Sequence, residues 1–380
     1  MENEIEVSVV LPCLNEEKTI GVCVNKIRDV FAKEKIIGEI IVADNKSSDR
    51  SREIASEAGA KVVVESRRGY GAVYLRGLAE TRGKYIIMGD SDDTYNFYDI
   101  PKFLNLLREG YDFVLGSRFK GKMKKGAMSW SHRYLGNPVL SGMCRVFFHT
   151  RLSDIHCGMR AFTNEAYHKM QLRTPGMEFA TEMVVSALSH GLKITEVPID
   201  YFPRAGESKL KPFSDAWRHI RFMLLYCPLW LYVIPGSIGL IFGTGILLLL
   251  LPGPFLFLRH YWDMHLLVFA SVISILSYQL LSLGIFAHTF AVEREFIKRD
   301  KFTIFFGRYF TLERGIMLGL GLFFLGSFVT FFIFVEWFSR HFGALYRIRE
   351  LILAMTLLVI GLQTIFSSFF ISLLFLKRER

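Results

Sequence analysis

Cysteine is scarce in this chain: five residues in 380 (Cys13, Cys23, Cys144, Cys157, Cys227), none at a short paired spacing. That argues against a cysteine zinc site and fits a reducing compartment. No phosphate-binding P-loop sequence is present, and Gly69-Tyr70-Gly71 lacks the third glycine of a dinucleotide fingerprint because Tyr74 stands in its place. No apolar run opens the chain, so no cleavable signal peptide is expected and the first span would itself direct insertion. The second half is poor in charge. From Leu229 onward apolar residues dominate, and four segments, at about 231–258, 266–292, 315–338 and 351–376, are long enough to cross a hydrocarbon core.

A formal charge of +10 would suit nucleic acid, but the basic residues sit where a membrane protein puts them, and no nucleic-acid partner is expected. Arg294, Lys298, Arg299, Lys301, Arg308 and Arg314 separate the second and third spans, and Lys377, Arg378 and Arg380 follow the fourth. The opposite loops hold fewer, Arg259 in one and Arg340, Arg347 and Arg349 in the other. The bias of cationic loops toward the cytoplasm therefore predicts an integral membrane protein of four spans with its amino-terminal domain, middle loop and carboxyl tail cytoplasmic. Three regions are expected: a soluble domain over 1–211, an amphipathic juxtamembrane helix over 212–229, and a membrane domain over 230–380 with a basic loop at 293–314. The juxtamembrane segment carries Phe213, Trp217, Arg218 and Arg221, a composition suited to the bilayer interface, although an ordinary amphipathic core helix would look similar.

In the soluble region strand-like runs (6–11, 39–43, 61–65, 85–88, 113–115) alternate with helical patterns, which predicts an α/β fold with a mainly parallel sheet. Ligands of such sheets bind beyond the carboxyl ends of the strands, and the polar clusters fall there: 12–17, 44–49, 67–71 and 90–93. The last, Asp90-Ser91-Asp92-Asp93, places three carboxylates within four residues, which repel one another without a cation. An Asp-x-Asp pair at a strand end suits Mg²⁺ or Mn²⁺ sharing its shell with a nucleotide diphosphate. Helix capping is the competing use of such aspartates.

The ordered set Val10-Leu11-Pro12-Cys13-Leu14-Asn15-Glu16-Glu17, Val42-Ala43-Asp44-Asn45-Lys46-Ser47-Ser48-Asp49, Gly69-Tyr70-Gly71 and Gly89-Asp90-Ser91-Asp92-Asp93 resembles family-two glycosyltransferases of the GT-A fold. More narrowly, with Gly116-Ser117-Arg118, the stretch Asp154 to Arg160 and Tyr201-Phe202-Pro203-Arg204, it is similar to polyprenyl-phosphate glycosyltransferases such as dolichyl-phosphate mannose and glucose synthases. The resemblance covers about 6–226, and the four spans agree with members that carry a membrane domain.

The resemblance implies transfer of one hexose, with inversion, from a nucleotide sugar to a polyprenyl phosphate at the cytoplasmic face. UDP-glucose is slightly favoured as donor, with UDP-N-acetylglucosamine and GDP-mannose open, and a homo-oligomer is compatible with it. Pro12, Asn15, Glu16, Asp44, Asn45 and Gly69 would line the donor pocket, and Asp90 and Asp92 would surround the metal, Asp92 the more direct ligand. Arg118 and Arg133 would hold the acceptor phosphate, since planar guanidinium groups grip its oxygens in pairs. Arg204 and Lys209 would belong to a lid over the diphosphate, and Glu178 would approach the sugar while Glu182 is structural. Asp154 would position or deprotonate the acceptor, or form a salt bridge with Arg160 or a neighbour. His132, His156 and Cys157 are expected to pack. Two alternatives stand beside this reading. A processive polysaccharide synthase is disfavoured because Asp215-Ala216-Trp217-Arg218-His219 does not supply a Gln-x-x-Arg-Trp pattern. A nucleotide-sensing membrane carrier or scaffold is disfavoured by the few charges within the spans.

Overall fold

The computed structural model describes residues 5–204, 212–293 and 300–375 and divides into two units, Met1–Met223 and Leu224–Arg380. In the first, seven strands form one sheet in the order β3-β2-β1-β4-β6-β5-β7. They are β1 (Val7–Cys13), β2 (Gly38–Asp44), β3 (Lys61–Val64), β4 (Tyr85–Met88), β5 (Phe113–Ser117), β6 (Arg160–Thr163) and β7 (Ile194–Pro198). All neighbours are parallel except β6, which runs against both β4 and β5.

Burial on both faces explains the apolar runs of the central strands. Val7, Val9 and Leu11 of β1 pack with α1 (Ile20–Glu34) and α4 (Ile100–Arg108) through Val24, Ile27, Phe103 and Leu104. Val10 points the other way, into a second core with Val73 and Tyr74 of α3 (Tyr70–Leu78) and Phe179 and Met183 of α7 (Phe179–Ser189). Helix α8 (Pro212–Leu225) adds Ile220 and Met223 to that second core, while Trp217 remains 59% exposed. The segment expected to be interfacial therefore gives one face to the α/β core.

The antiparallel β6 had no counterpart among the expected strands, and it matters for the site. Its first residue, Arg160, pairs with Met88 at the end of β4 and with Leu115 near the end of β5. The loop 154–159 thereby arrives at the same edge as the carboxyl ends of β1, β2, β4 and β5. Gly71 closes that edge: a Cβ there would lie 2.1 Å from the Thr174 carbonyl oxygen.

Among the described residues the second unit contains four helices long and apolar enough to span a membrane, Leu229–Leu250, Met264–Glu293, Leu312–Ser339 and Ile348–Phe375, and the protein is an integral membrane protein. The first is shorter than the expected 231–258. Pro252 and Pro254 lack the amide a helix needs, Gly253 sits at φ 159°, and 255–257 pairs with 260–262 as a hairpin instead. Glycines let the spans approach closely: a Cβ on Gly243 would stand 2.6 Å from Ser274 Oγ, and one on Gly319 2.8 Å from the Gly361 carbonyl oxygen. Ser271 and Thr356, 2.6 Å apart, and Tyr278 and Thr364, 2.7 Å apart, hydrogen-bond across the bundle.

Candidate active site

Asp90 and Asp92 follow β4 directly. Asp92 Oδ1 accepts from Thr94 Oγ1 at 2.6 Å and from the Thr94 amide at 3.2 Å, while its Oδ2 lies 3.4 Å from Arg204 Nη1. The other terminal nitrogen of Arg204 meets Glu16 Oε1 at 2.5 Å, so one guanidinium spans a carboxylate from the β1 loop and one from the β4 loop. Among the described residues Arg204 Nε is buried without a partner. Asp90 Oδ1 accepts from the hydroxyls of Tyr70 at 3.2 Å and Tyr74 at 3.4 Å, both neutral groups. Burial, and then repulsion from Asp92, push the Asp90 carboxyl up to about 6.

A raised carboxyl beside a second carboxylate fits a cation. Among the described residues no group of three His, Cys, Asp or Glu side chains converges. An ion held by Asp90 and Asp92 would have to complete its shell with substrate oxygens and water, the habit of Mg²⁺ at phosphate sites.

The loops expected to line the donor pocket are tied to one another. Asn15, at φ 52°, accepts from the Ser48 amide at 2.8 Å, and Asp44 accepts from the Ser47 amide at 3.1 Å. Asn45 donates to the carbonyls of Glu65 (3.0 Å) and Arg67 (2.8 Å) and accepts from the Gly69 amide at 3.3 Å. The Pro12 carbonyl accepts from Ser91 Oγ at 2.5 Å. These contacts draw the ends of β1, β2, β3 and β4 together.

Arg118, just past β5, is buried and clasped by Asp154: Nε to Oδ2 at 2.7 Å, Nη2 to Oδ1 at 2.8 Å, and the Arg118 amide to Oδ2 at 3.1 Å. Burial alone would pull the guanidinium down, but the Asp154 charge and hydrogen bonds outweigh it and hold Arg118 firmly protonated. Its carbon lies 5.2 Å from the Tyr201 ring centroid. The pairing of Asp154 with Arg160 that the sequence allowed is replaced by this one, because Arg160 spends its donors on the carbonyls of Cys157, Ala180 and Ile155 at 2.6 to 2.8 Å.

The structure does not join Arg133 to this cluster. It sits in a π-helical turn, His132–Gly136, with its guanidinium 5.4 Å from the Tyr134 ring. Lys209 lies outside the described residues. Glu178 stands at the N-cap of α7 with Oε2 buried and, among the described residues, unpartnered, whereas Glu182 accepts from the amides of Arg173 and Thr174 at 2.9 Å. His156 and His219 meet edge to face with ring centroids 4.3 Å apart, and burial pulls both well below the usual imidazole range, so they pack as neutral rings.

Sequence reasoning missed several contributors. The phenols on Asp90 lay in view, Tyr70 inside a quoted motif and Tyr74 noted only as an absent glycine. Gly158 lets the 154–159 loop close on Asp90: a Cβ there would be 2.5 Å from Asp90 Oδ2. Glu196 on β7 accepts from the amides of Ser153 (2.6 Å) and Asp154 (3.0 Å) and so shapes the Asp154 loop, with no local signal to announce it.

Residues 8–171 match Glycosyl transferase family 2, and residues 285–375 match the Glycosyltransferase family 2 C-terminal transmembrane region. The low-salt glycan biosynthesis hexosyltransferase Agl6 of Haloferax volcanii is 38% identical over 363 residues, 95% of this chain and 87% of that protein. A dolichyl-phosphate hexose transferase of the same organism is 32% identical, over 55% of this chain and 88% of that protein. A crystal structure of glucosyl-3-phosphoglycerate synthase from Mycobacterium tuberculosis with Mn²⁺, UDP-glucose and phosphoglyceric acid has 22% identity, a TM-score of 0.49, and coverage of 58% of this chain and 79% of that one. With a GT-A domain carrying the paired aspartates at its ligand edge and a membrane domain of four spans, the chain belongs to glycosyltransferase family 2.

Proposed function

We propose that this membrane glycosyltransferase moves one hexose from a nucleoside diphosphate sugar to a polyprenyl phosphate, with inversion, at the cytoplasmic face of the membrane. The observation that carries the reading is the meeting, at one sheet edge, of two carboxylates suited to a diphosphate-bound cation and a buried arginine suited to a second phosphate. The haloarchaeal dolichyl-phosphate hexose transferase supports the acceptor class. UDP-glucose is the preferred donor, with UDP-N-acetylglucosamine and GDP-mannose as alternatives.

In this reading Pro12, Asn15, Glu16, Asp44, Asn45 and Gly69 hold the nucleoside, and Arg204 leaves Glu16 and Asp92 to meet the diphosphate. Asp90 and Asp92 would hold a Mg²⁺ or Mn²⁺ ion, which would supply charge stabilisation to the leaving nucleoside diphosphate. Arg118 faces the acceptor phosphate with the nitrogen that Asp154 leaves unengaged, and Arg133, half-exposed, and Lys209 add cationic charge. Asp154 is a positioning residue: both of its oxygens are engaged by Arg118. No strong base is required, because a phosphate monoester with a second pKa near ~6 is already largely dianionic at neutral pH. Glu178, with a buried oxygen awaiting a donor, faces a sugar hydroxyl. The juxtamembrane helix gives its outer face, with Trp217, to the interface.

The test is nucleoside diphosphate release by the purified protein across the three donors, with and without a short polyprenyl phosphate. Lipid-dependent release with one donor, abolished by chelation, supports the reading. Release indifferent to the lipid overturns the acceptor assignment.

A further inference from the structure

Helix α11 (Lys301–Tyr309) stands between two spans, α10 (Met264–Glu293) and α12 (Leu312–Ser339), and the sequence reading treated it only as part of a basic loop. Its inner side is built. Asp300 caps its first turn through the Thr303 amide at 2.8 Å. His288, buried near the end of α10, places Nε2 3.0 Å from Thr303 Oγ1 and 3.3 Å from Asp300 Oδ1. Phe302 and Phe306 stack at 5.9 Å, and Phe306 and Phe310 at 4.8 Å, as a column along the helix.

The outer side is neither a core face nor a water face. Ile304 is 62% exposed, Phe305 61% and Tyr309 52%, with Lys301 and Arg308 exposed among them. Leaving three large apolar side chains in water would forfeit about 1.5–3 kcal/mol of burial for each. Only Phe310 and Thr311 separate this helix from α12, so its carboxyl end is held where a span meets the membrane surface.

We infer that α11 lies in the lipid headgroup layer, with Ile304, Phe305 and Tyr309 at the acyl boundary and Lys301 and Arg308 on the phosphates of anionic lipids. The mixture fits that layer: apolar side chains reach the acyl boundary, tyrosine sits at headgroup height with its hydroxyl wet, and cations favour anionic lipid. The His288–Asp300–Thr303 tie orients the helix before any lipid binds.

The test uses the full chain in roughly 3:1 phosphatidylcholine to phosphatidylglycerol vesicles, with a spin label on Phe305→Cys and, separately, on Ile304→Cys. Collision with oxygen against a water-soluble nickel complex should place both labels at the headgroup and acyl boundary. Spin-labelled phosphatidylglycerol should be motionally restricted in preference to phosphatidylcholine, and Lys301→Gln with Arg308→Gln should lower that preference by about twofold while the depth holds. Labels reached by the nickel complex alone, labels shielded from both quenchers by a protein surface, or a lipid preference unchanged in the double variant would each overturn the inference.

Discussion

Asp90, half-buried, and Asp154, fully buried, are carboxylates at one end of one sheet, and they are compensated in different ways. Asp90 has two phenol hydroxyls and a neighbouring carboxylate, so its charge is unbalanced and its carboxyl is pushed up to about 6. Asp154 has the Arg118 guanidinium on both oxygens and the Arg118 amide on Oδ2. The first half of the edge is short of positive charge, and the second pairs its carboxylate with a guanidinium. On the proposed function this asymmetry has a use: one side would recruit charge with the donor, and the other would keep a rigid arginine in place for the acceptor.

The largest effect should come from the unbalanced half. Asp92→Asn is expected to lower turnover by on the order of 10³-fold while the thermal unfolding midpoint stays near wild type, because Asp92 supports chemistry more than packing. Steady-state rates at saturating metal and donor, with circular dichroism melts, check both parts; a folded, fully active variant would erase the contrast.

In the paired half the main consequence should be lost stability. Asp154→Asn strands a buried guanidinium, and the expected cost is roughly 3–5 kcal/mol, read by denaturant unfolding in detergent. Replacing both partners, Asp154→Leu with Arg118→Met, should recover most of that stability and none of the activity. If the single variant is as stable as wild type, the ion pair does not hold this half together.

A smaller effect separates the halves by pH. A carboxyl raised from an ordinary 3.8 to about 6 stabilises the fold fully below its unfolded value, and that contribution disappears as pH rises through 6. In chelator, the midpoint should therefore climb as pH drops from roughly 7.5 to 5.5, and Asp90→Asn should flatten that slope. An identical slope in the variant would assign the titration elsewhere.

The smallest expected signal is the absence of reaction. Burial pushes the thiol of Cys13, at the end of β1, up to about 11, and that of Cys157, in the loop that follows Asp154, up to about 12. Neither should be alkylated by iodoacetamide at pH near ~8 in the folded protein, and both should react in urea, as read by mass spectrometry. Labelling of Cys157 alone in the native state would show that the paired half opens and is not the rigid one.

The sequence by itself determined the alternation of strand and helix, the clustering of polar residues at strand ends, and the four spans, because period, composition and length are local properties of the chain. It also singled out Asp90, Asp92, Arg118, Asp154 and Arg204. Only the tertiary structure decided their partners. That Asp154 answers Arg118 and not Arg160, six residues away, follows from the reversed direction of β6, which sends the 154–159 loop to the ligand edge and turns Arg160 inward to three carbonyls. The bridge from Arg204 to Glu16 closes over 188 residues, and Tyr70 and Tyr74 reach Asp90 from a neighbouring helix. Such contacts depend on strand order and register, which no local stretch of sequence encodes.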